Sequence, residues 1–311
     1  MPDFPIIDAH VHTYLTREIG RQAMMGTGRT DYGGTPEELL DIMAGAGITH
    51  AVMVNMTPVA DMMDAALERL PQGLSTMDRA AEEEMTRRRI IGRLQRRNAW
   101  TCEIAREHPE LIPFIGLDPS MSEAELIAEI EARRAEGARG IKLHPAAQRF
   151  YPNDERLAPV YARATELGWP VIFHSGAFAL GPAATTQASL QHFPPLLEAF
   201  PRLTVVLGHM GFGDWDTCAA IARDFPNAMF DCCYVINGTD PSPSISDEEA
   251  AAAFRKVGIG RVMFGSDYPW FDPALDATRI ARLPLSDAEK RAVLHENAAR
   301  VFGGVITRWS D

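Results

Sequence analysis

The stretch IIDAHVH (residues 6–12) decides the fold. It begins as an apolar run of residues that suit extended backbone and ends with two histidines. Residues two positions apart on a strand point to the same face, so we expect His10 and His12 to lie side by side where the strand ends. Two ordinary loop histidines would give the same short pattern. The meaning of the pair therefore depends on how the other strands end.

Seven further strand-like runs follow the first, with helical patterns between them. The eight runs span residues 5–12, 50–56, 111–118, 138–145, 170–176, 203–211, 228–235 and 261–269. Strands that alternate with helices predict parallel pairing and right-handed crossovers. Eight such units in 311 residues predict a (β/α)8 TIM barrel that forms one domain over residues 1–311. An open doubly wound sheet is the alternative, but no GxGxxG motif follows the first strand.

Composition and charge narrow the class of protein. The chain is 46% hydrophobic and 23% charged with a formal net charge of −12, which argues against a nucleic-acid partner. No apolar run approaches the length of a membrane span. The four cysteines form no CxxC pair, which favours free thiols in a reducing compartment. With no signal-peptide pattern in sight, we expect a cytoplasmic protein.

Two connections are longer than a barrel needs. Residues 13–34 carry Arg17, Arg21 and Arg29, which either clamp a substrate carboxylate or are surface charges. Residues 57–110 contain a long arginine-rich helical pattern. Because ordinary connections in such barrels take a few residues, we expect the 57–110 segment to cover the site or to form a subunit contact in a homo-oligomer.

Polar side chains mark the ends of five strands. The active site of a barrel lies at the carboxyl ends of its strands, and five of the nine histidines fall there. Clustered imidazoles without partners would cost stability, whereas a bound metal (zinc, iron, manganese or cobalt) would stabilise them. His209 shares its alternation with Val205 and Leu207, so we expect it in the barrel mouth as an acid–base group. The residues at the strand ends are His10, His12, Lys142, His144, His174, His209 and Asp267.

These motifs resemble a known family. DAHVH (8–12), GIKLHP (140–145), PVIFHSG (170–176), VVLGHMG (205–211), MFGSDYPW (263–270) and LHENAARVFG (294–303) are similar to the amidohydrolase superfamily. The nearest branch is the amidohydrolase-related one, which includes aminocarboxymuconate-semialdehyde decarboxylase. The resemblance implies a distorted barrel with one divalent metal, most often zinc. It implies His10, His12, His174 and Asp267 as ligands, with Asp267 also accepting a proton and His209 assisting the chemistry.

The resemblance leaves the reaction open. Our first hypothesis is hydrolysis of an amide, ester or lactone by a metal-activated water. The alternative is a non-oxidative decarboxylase, and a metal-binding barrel without catalysis is a third possibility. A carboxylated lysine that bridges two metals is known in the superfamily, but His144 takes the strand end here, so we expect one metal. The expected small-molecule contacts are Lys142, His144, Arg17, Tyr268 and Trp270.

Overall fold

The computed structural model of the protein describes residues 2–25, 27–29, 31–176, 186–240 and 244–306. Eight parallel strands form one sheet in the order of the sequence, which confirms the predicted (β/α)8 barrel. The strands are β1 (Ile6–Val11), β2 (Ile48–Met53), β3 (Leu111–Gly116), β4 (Gly140–Leu143), β5 (Val171–His174), β6 (Val205–Gly208), β7 (Ala228–Asp231) and β8 (Val262–Met263).

Helices occupy the connections and surround the sheet. They are α1 (Arg17–Ala23), α2 (Pro36–Ala46), α3 (Val59–Leu67), α4 (Thr76–Glu107), α5 (Glu123–Ala135), α6 (Pro145–Gln148), α7 (Ala158–Leu167), α8 (Pro194–Ala199), α9 (Met210–Gly213), α10 (Trp215–Asp224), α11 (Asp247–Val257), α12 (Pro273–Arg282), α13 (Asp287–Arg291) and α14 (Asn297–Ile306). The α5 helix begins with the predicted capping box, in which Ser122 and Glu125 bond each other's backbone N–H groups. Within the described residues, no helix is both long and apolar enough to cross a membrane.

The barrel closes between its first and last strands. Val11 pairs with Tyr268 beyond the short β8. The backbone N–H of His12 donates to Tyr268 at 2.7 Å, and the N–H of Asp267 donates to the carbonyl of His10 at 2.8 Å. This closure brings the aspartate that follows β8 directly beside the histidine pair that ends β1.

Alternate residues of the strands fill the inside of the barrel. Val52, Phe114, Ile172 and Val206 belong to this inner cluster, and Phe302 of α14 packs edge-on against Phe114. The neighbouring positions face outward and form a larger core with the surrounding helices. The inside is therefore a packed core below a polar upper end, as barrels of this type require.

The long connection after β2 reaches the upper rim. Helix α3 contacts α6, which begins immediately after His144. Arg149 at the end of α6 pairs with Asp61 and Asp64 of α3. From α4, Arg97 donates to the carbonyl of Thr13, just beyond the histidine pair. The segment thus lies beside the site, and its covering of the site or its part in a subunit contact stays a prediction.

Candidate active site

His10, His12 and Asp267 form a compact group of ligand-type atoms at the upper end of the barrel. Asp267 Oδ1 lies 3.4 Å from His12 Nε2 and 3.7 Å from His10 Nε2. One ligand atom from each of the three residues lies within 4.8 Å of the others. Burial lowers the pKa of His12 to about 3, although Asp267 opposes that shift, so this imidazole is neutral. Two imidazole nitrogens and a carboxylate oxygen thereby converge.

His10 lies between a hydrogen-bond acceptor and a donor. Its Nδ1 is 2.8 Å from Asp231 Oδ2, and its Nε2 is 3.1 Å from Lys142 Nζ. Carboxylates accept and lysine donates, so the proton of the neutral ring is on Nδ1 and the lone pair is on Nε2. Burial alone would raise the pKa of Asp231, but His10 and its other donors hold it below the usual range. The ring is thus fixed in the tautomer that a metal ligand needs.

Asp231 is a site residue that the sequence reasoning missed. It is fully buried at the end of β7, and its Oδ1 also accepts the backbone N–H of His209 at 2.9 Å. A signal was present, because Asp231 and Cys233 lie at the end of β7, one of the three strands to which no polar residue had been assigned. Neither residue is a histidine, the residue type that marks most of the other polar strand ends.

Cys233 is the second residue that was missed. The cysteine is completely buried, with its Sγ 2.8 Å from Asp231 Oδ1 and 3.2 Å from His209 Nδ1. Burial raises the pKa of this thiol well above its usual value. The side chain is therefore a neutral thiol that connects a carboxylate to a histidine ring.

Asp8 connects β1 to the segment that follows β8, below the ligand-type atoms. Its Oδ1 accepts the backbone N–H of His10 at 3.1 Å and that of Ser266 at 3.0 Å. Burial raises its pKa to about 7 despite these two donors. One carboxyl group thus positions the backbone on both sides of the candidate metal group.

A cluster of three imidazoles, His144, His174 and His209, lies opposite the strands that close the barrel, β1 and β8. The ring of His174 stacks on that of His144, with centroids 3.8 Å apart, and lies 4.5 Å from that of His209. Burial lowers the pKa of His209 to about 4. Among the described residues, compact three-residue groups of ligand type are His10–His12–Asp267 and His10–His209–Cys233, and neither includes His174. The role of His174 as a ligand therefore stays a prediction.

Regular strand alternation does not explain how His209 reaches the site, and our parity argument for it was wrong. Val205 and Leu207 pack outward among the helices, whereas Val206 lies inside the barrel. His209 instead has a left-handed backbone with φ of 62°, which turns the chain just beyond β6. Asp267 has a similar φ of 63°. Backbone conformations that few L-residues adopt thus aim both side chains at the centre.

The five residues expected to contact a small molecule divide into those beside the candidate metal group and those around Glu38. Trp270 is half-buried and meets His12 edge to face, with ring centroids 5.3 Å apart, so it lines the group directly. Tyr268 is fully buried and donates to Glu38 at 2.7 Å. Arg17 pairs with the same carboxylate at 3.1 Å while its side chain stays 56% exposed. Lys142 and His144 lie among the imidazoles, whereas Tyr268 and Arg17 belong to a network around Glu38.

An aromatic wall, formed by Phe212, Tyr234 and Phe271, borders the site on the side of His209. Phe212 stacks on His209 with centroids 5.1 Å apart, and Tyr234 meets Phe212 at 5.0 Å and Phe271 at 5.4 Å. The guanidinium of Arg29 lies 4.6 Å over the ring of Phe271. Tyr234 remains 47% exposed, so part of the wall is open to a ligand.

The donor set fits a divalent cation on this structure's own geometry. His10 and His12 direct one ring nitrogen each toward the Asp267 carboxylate, and a basic nitrogen, Lys142 Nζ, lies beside His10 Nε2. Space for this arrangement depends on Gly265, where a Cβ atom would lie 2.9 Å from the Cβ of His10. Nitrogen and carboxylate donors of this kind suit zinc, manganese and iron.

The comparison with protein families agrees with the barrel fold and the candidate metal site. The family described as amidohydrolase matches residues 7–304, nearly the whole chain, so the protein belongs to the amidohydrolase family. It is accordingly an enzyme of a metal-dependent family, either a hydrolase or a decarboxylase. No curated protein matches the chain.

Solved structures with the same fold include several decarboxylases. An uncharacterized TIM-barrel protein from Bordetella bronchiseptica has a TM-score of 0.69 and 21% identity, covering 97% of this chain and 99% of that one. The dihydroxybenzoic acid decarboxylase from Polaromonas sp. JS666, with bound manganese and the inhibitor 2-nitroresorcinol, has a TM-score of 0.66 and 17% identity over 96% and 97% of the two chains. The 5-carboxyvanillate decarboxylase from Sphingomonas paucimobilis has a TM-score of 0.63 and 16% identity over 96% and 99%. These likenesses establish the shared fold.

Proposed function

We propose that this enzyme is a metal-dependent, non-oxidative decarboxylase of a small aromatic carboxylic acid. The observation that carries the proposal is the position of Lys142, whose buried Nζ lies 3.1 Å from the presumed ligand atom of His10. A basic side chain placed beside a cation site favours an anionic substrate. Burial lowers the pKa of Lys142, and a carboxylate beside its Nζ would favour the charged form again, whereas the neutral amide, ester or lactone of our first hypothesis from the sequence would not.

We propose His10, His12 and Asp267 as ligands of one divalent cation, with His174 as the fourth. Zinc remains our proposal for its identity, and manganese is the alternative that the Polaromonas relative raises. When bound, the cation would supply positive charge that neutralises and orients the oxygens of the substrate. Asp267 suits this role because His12, His209 and His10 hold its pKa below the usual range against the effect of burial. It therefore stays ionised.

The aromatic wall provides the substrate's second point of attachment. A planar ring that leaned on Phe212 and Tyr234 would bury apolar surface and meet His209, which stacks on Phe212. Lys142, released from His10 when a cation takes that lone pair, would donate to the carboxylate of the substrate. Together these contacts would fix the bond between the ring carbon and the carboxylate across from His209.

His209 is the proton carrier in this proposal. Proton transfer from its imidazolium to the ring carbon forms the new C–H bond, after which the bond to the carboxylate breaks. The electron pair of that bond returns to the ring and carbon dioxide leaves. Burial lowers the pKa of His209 to about 4, so the resting ring is neutral, and in each turnover it takes up a proton from solvent and passes it on to the ring carbon.

The ligand assignment is tested by metal analysis of purified protein. We expect the double variant His10→Ala, His12→Ala to lose its bound metal while circular dichroism shows an intact barrel. His108→Ala is the matched control, because this histidine follows α4 far from the strand ends. Full occupancy in the double variant would contradict the assignment.

The reaction is tested with a substrate panel. Hydroxylated and methoxylated aromatic carboxylic acids are assayed for carbon dioxide release, and lactones, esters and amides are assayed for acid release. We expect carbon dioxide from the first group, with loss of activity on metal removal. Acid release without carbon dioxide would restore our first hypothesis of a hydrolase. Inactivity on both sets, with metal bound, would favour the non-catalytic barrel.

A further inference from the structure

Cys233 is placed to act on a histidine rather than on a substrate. It follows β7 and has no exposed surface, and its Sγ contacts only buried polar atoms among its described polar partners. These atoms are Asp231 Oδ1 at 2.8 Å and His209 Nδ1 at 3.2 Å. The thiol thus fills the space between a carboxylate and an imidazole.

The direction of the hydrogen bonds follows from Asp231. A carboxylate only accepts, so every polar hydrogen around it points inward. His10 donates through Nδ1 to Oδ2, and the backbone N–H of His209 donates to Oδ1. The contact between Cys233 and the same Oδ1 is therefore a donation from the S–H group. A thiolate here would place two anions in contact inside a low-dielectric interior.

The sulfur lone pair that is directed away from Asp231 then determines the tautomer of His209. With its hydrogen directed at Asp231, Cys233 offers a lone pair to His209 Nδ1. An attractive contact at 3.2 Å requires the imidazole to carry its hydrogen on Nδ1. In the neutral ring this leaves the lone pair on Nε2, at the other side of the ring from Cys233.

We propose that Cys233 is a positioning residue that holds neutral His209 as the Nδ1–H tautomer, so that Nε2 is the atom that takes up and delivers the proton. This inference rests on the role given to His209 in the proposed function. The tautomer itself, however, is a property of the folded protein and is measurable without a substrate.

The thiol also explains how one carboxylate serves two histidines with different tasks. Asp231 bonds His10 directly, which makes that ring more basic and a better metal ligand. It reaches His209 through a neutral sulfur, a weak acceptor that orients the ring with little added basicity. One carboxylate thus orients both rings, His10 directly and His209 through the thiol.

Nitrogen-15 NMR of zinc-loaded protein labelled at histidine tests the proposal. The shifts of Nδ1 and Nε2 distinguish the two tautomers, and the His209 signal is assigned by its absence in His209→Asn. We expect the Nδ1–H tautomer in the wild-type protein and in Cys233→Ser, whose hydroxyl both donates and accepts. In Cys233→Ala we expect the Nε2–H form to appear. The Nε2–H form in wild type, or an unchanged tautomer in Cys233→Ala, would overturn the proposal.

Kinetics provide the second readout on a substrate identified by the panel. We expect Cys233→Ala to lower kcat by at least about tenfold with little change in KM, because a wrong tautomer impairs proton transfer rather than binding. Cys233→Ser should restore most of the loss. Equal losses in both variants would contradict the positioning role even if decarboxylation itself is confirmed.

Cobalt substitution distinguishes positioning from metal ligation. His10, His209 and Cys233 also form a compact group of ligand-type atoms, so a thiolate–metal bond has to be examined. We expect no sulfur-to-cobalt charge-transfer band in the cobalt-loaded enzyme, and the same spectrum in Cys233→Ser. A band that disappears in Cys233→Ser would make Cys233 a ligand and overturn the proposal.

Discussion

Asp231 holds His10 from the side of the ring opposite the candidate metal group, with Oδ2 2.8 Å from Nδ1. Both side chains are completely buried, so no water competes for the contact. Since the same carboxylate accepts the backbone N–H of His209 at Oδ1, its orientation is fixed by two segments at once. The two oxygens of Asp231 consequently have different and predictable tasks.

Asp231→Asn should weaken metal binding by about 10- to 100-fold. In the variant, the His209 backbone N–H and the Cys233 thiol still require an acceptor, so the amide oxygen takes the place of Oδ1. The amide NH2 then faces His10 Nδ1. That NH2 would donate to Nδ1 and force the hydrogen of the ring onto Nε2, the proposed ligand atom. Metal titration with a competing chelator measures the effect. Asp224→Asn, an exposed change at the end of α10, is the control, and unchanged affinity in Asp231→Asn would refute this account.

His209→Asn should retain its metal and lose activity by about 10²- to 10⁴-fold, the usual contribution of a general acid–base group. Asparagine keeps a polar group near Cys233 but cannot carry a proton to carbon. Metal content and kcat are measured on the same preparation. Loss of the metal would identify His209 as a ligand, and near-normal turnover would remove it from the reaction.

The fold was predictable because its signal is repeated. Eight apolar runs separated by capped helical patterns admit few topologies, and the order of the strands confirms the barrel. That the polar strand ends meet at one rim was also predictable, because parallel strands bring their carboxyl ends to the same side of the barrel. What the pattern could not supply was the local backbone, as the left-handed φ of His209 demonstrates.

The site was predictable only where residue type identifies chemistry. Histidines at strand ends are rare enough to attract attention, and His10 and His12 do lie beside Asp267. Asp231 and Cys233 escaped notice because an aspartate and a cysteine near a strand have many ordinary roles. Their importance comes from contacts 2.8 Å and 3.2 Å long with residues distant in the chain, which no local pattern encodes.

Gly208→Ala should weaken metal binding without preventing folding. A Cβ atom at this position would lie 2.9 Å from the backbone carbonyl of Phe173 and 3.2 Å from Cε1 of His10, so the backbone has to shift and the ring has to give way with it. Gly45→Ala on α2 is the matched control, because its Cβ meets nothing within 4 Å. We expect the control to keep metal affinity and to gain about 0.5–1 kcal/mol of stability. Equal affinities in the two variants would contradict the packing argument.

Tyr268→Phe should lower stability rather than substrate affinity. The buried hydroxyl donates to Glu38, which also accepts the backbone N–H groups of Gly33 and Gly34 at 2.8 Å. Losing this hydrogen bond to a carboxylate should cost about 1.5–3 kcal/mol in the free energy of unfolding. Urea denaturation measures that loss, and KM should stay near the wild-type value. A large rise in KM with unchanged stability would instead support a direct substrate contact.

Asp276 on α12 is a buried carboxyl group outside the metal group. Its Oδ1 accepts the backbone N–H of Gly238 at 2.7 Å, together with the N–H and the hydroxyl of Thr239. Burial nevertheless raises its pKa to about 8. Burial thus favours the protonated form of this carboxyl group, whose Oδ1 connects the segment after β7 to α12.

Asp276→Asn should flatten the dependence of stability on pH. The folded pKa of about 8 is above the ordinary value of 3.8, so the folded protein binds one proton more than the unfolded chain between these limits. Its stabilising contribution is present in full below pH 3.8 and is lost as the pH rises through 8, whereas asparagine does not titrate. Wild-type stability should therefore fall relative to the variant between pH 5 and pH 8 (a window of about three units) in urea titrations. Asp41→Asn, exposed on α2, should follow the wild type. If the curves of wild type and Asp276→Asn ran parallel, Asp276 would be ionised in the folded protein throughout this range, and its three donors rather than its burial would control its charge.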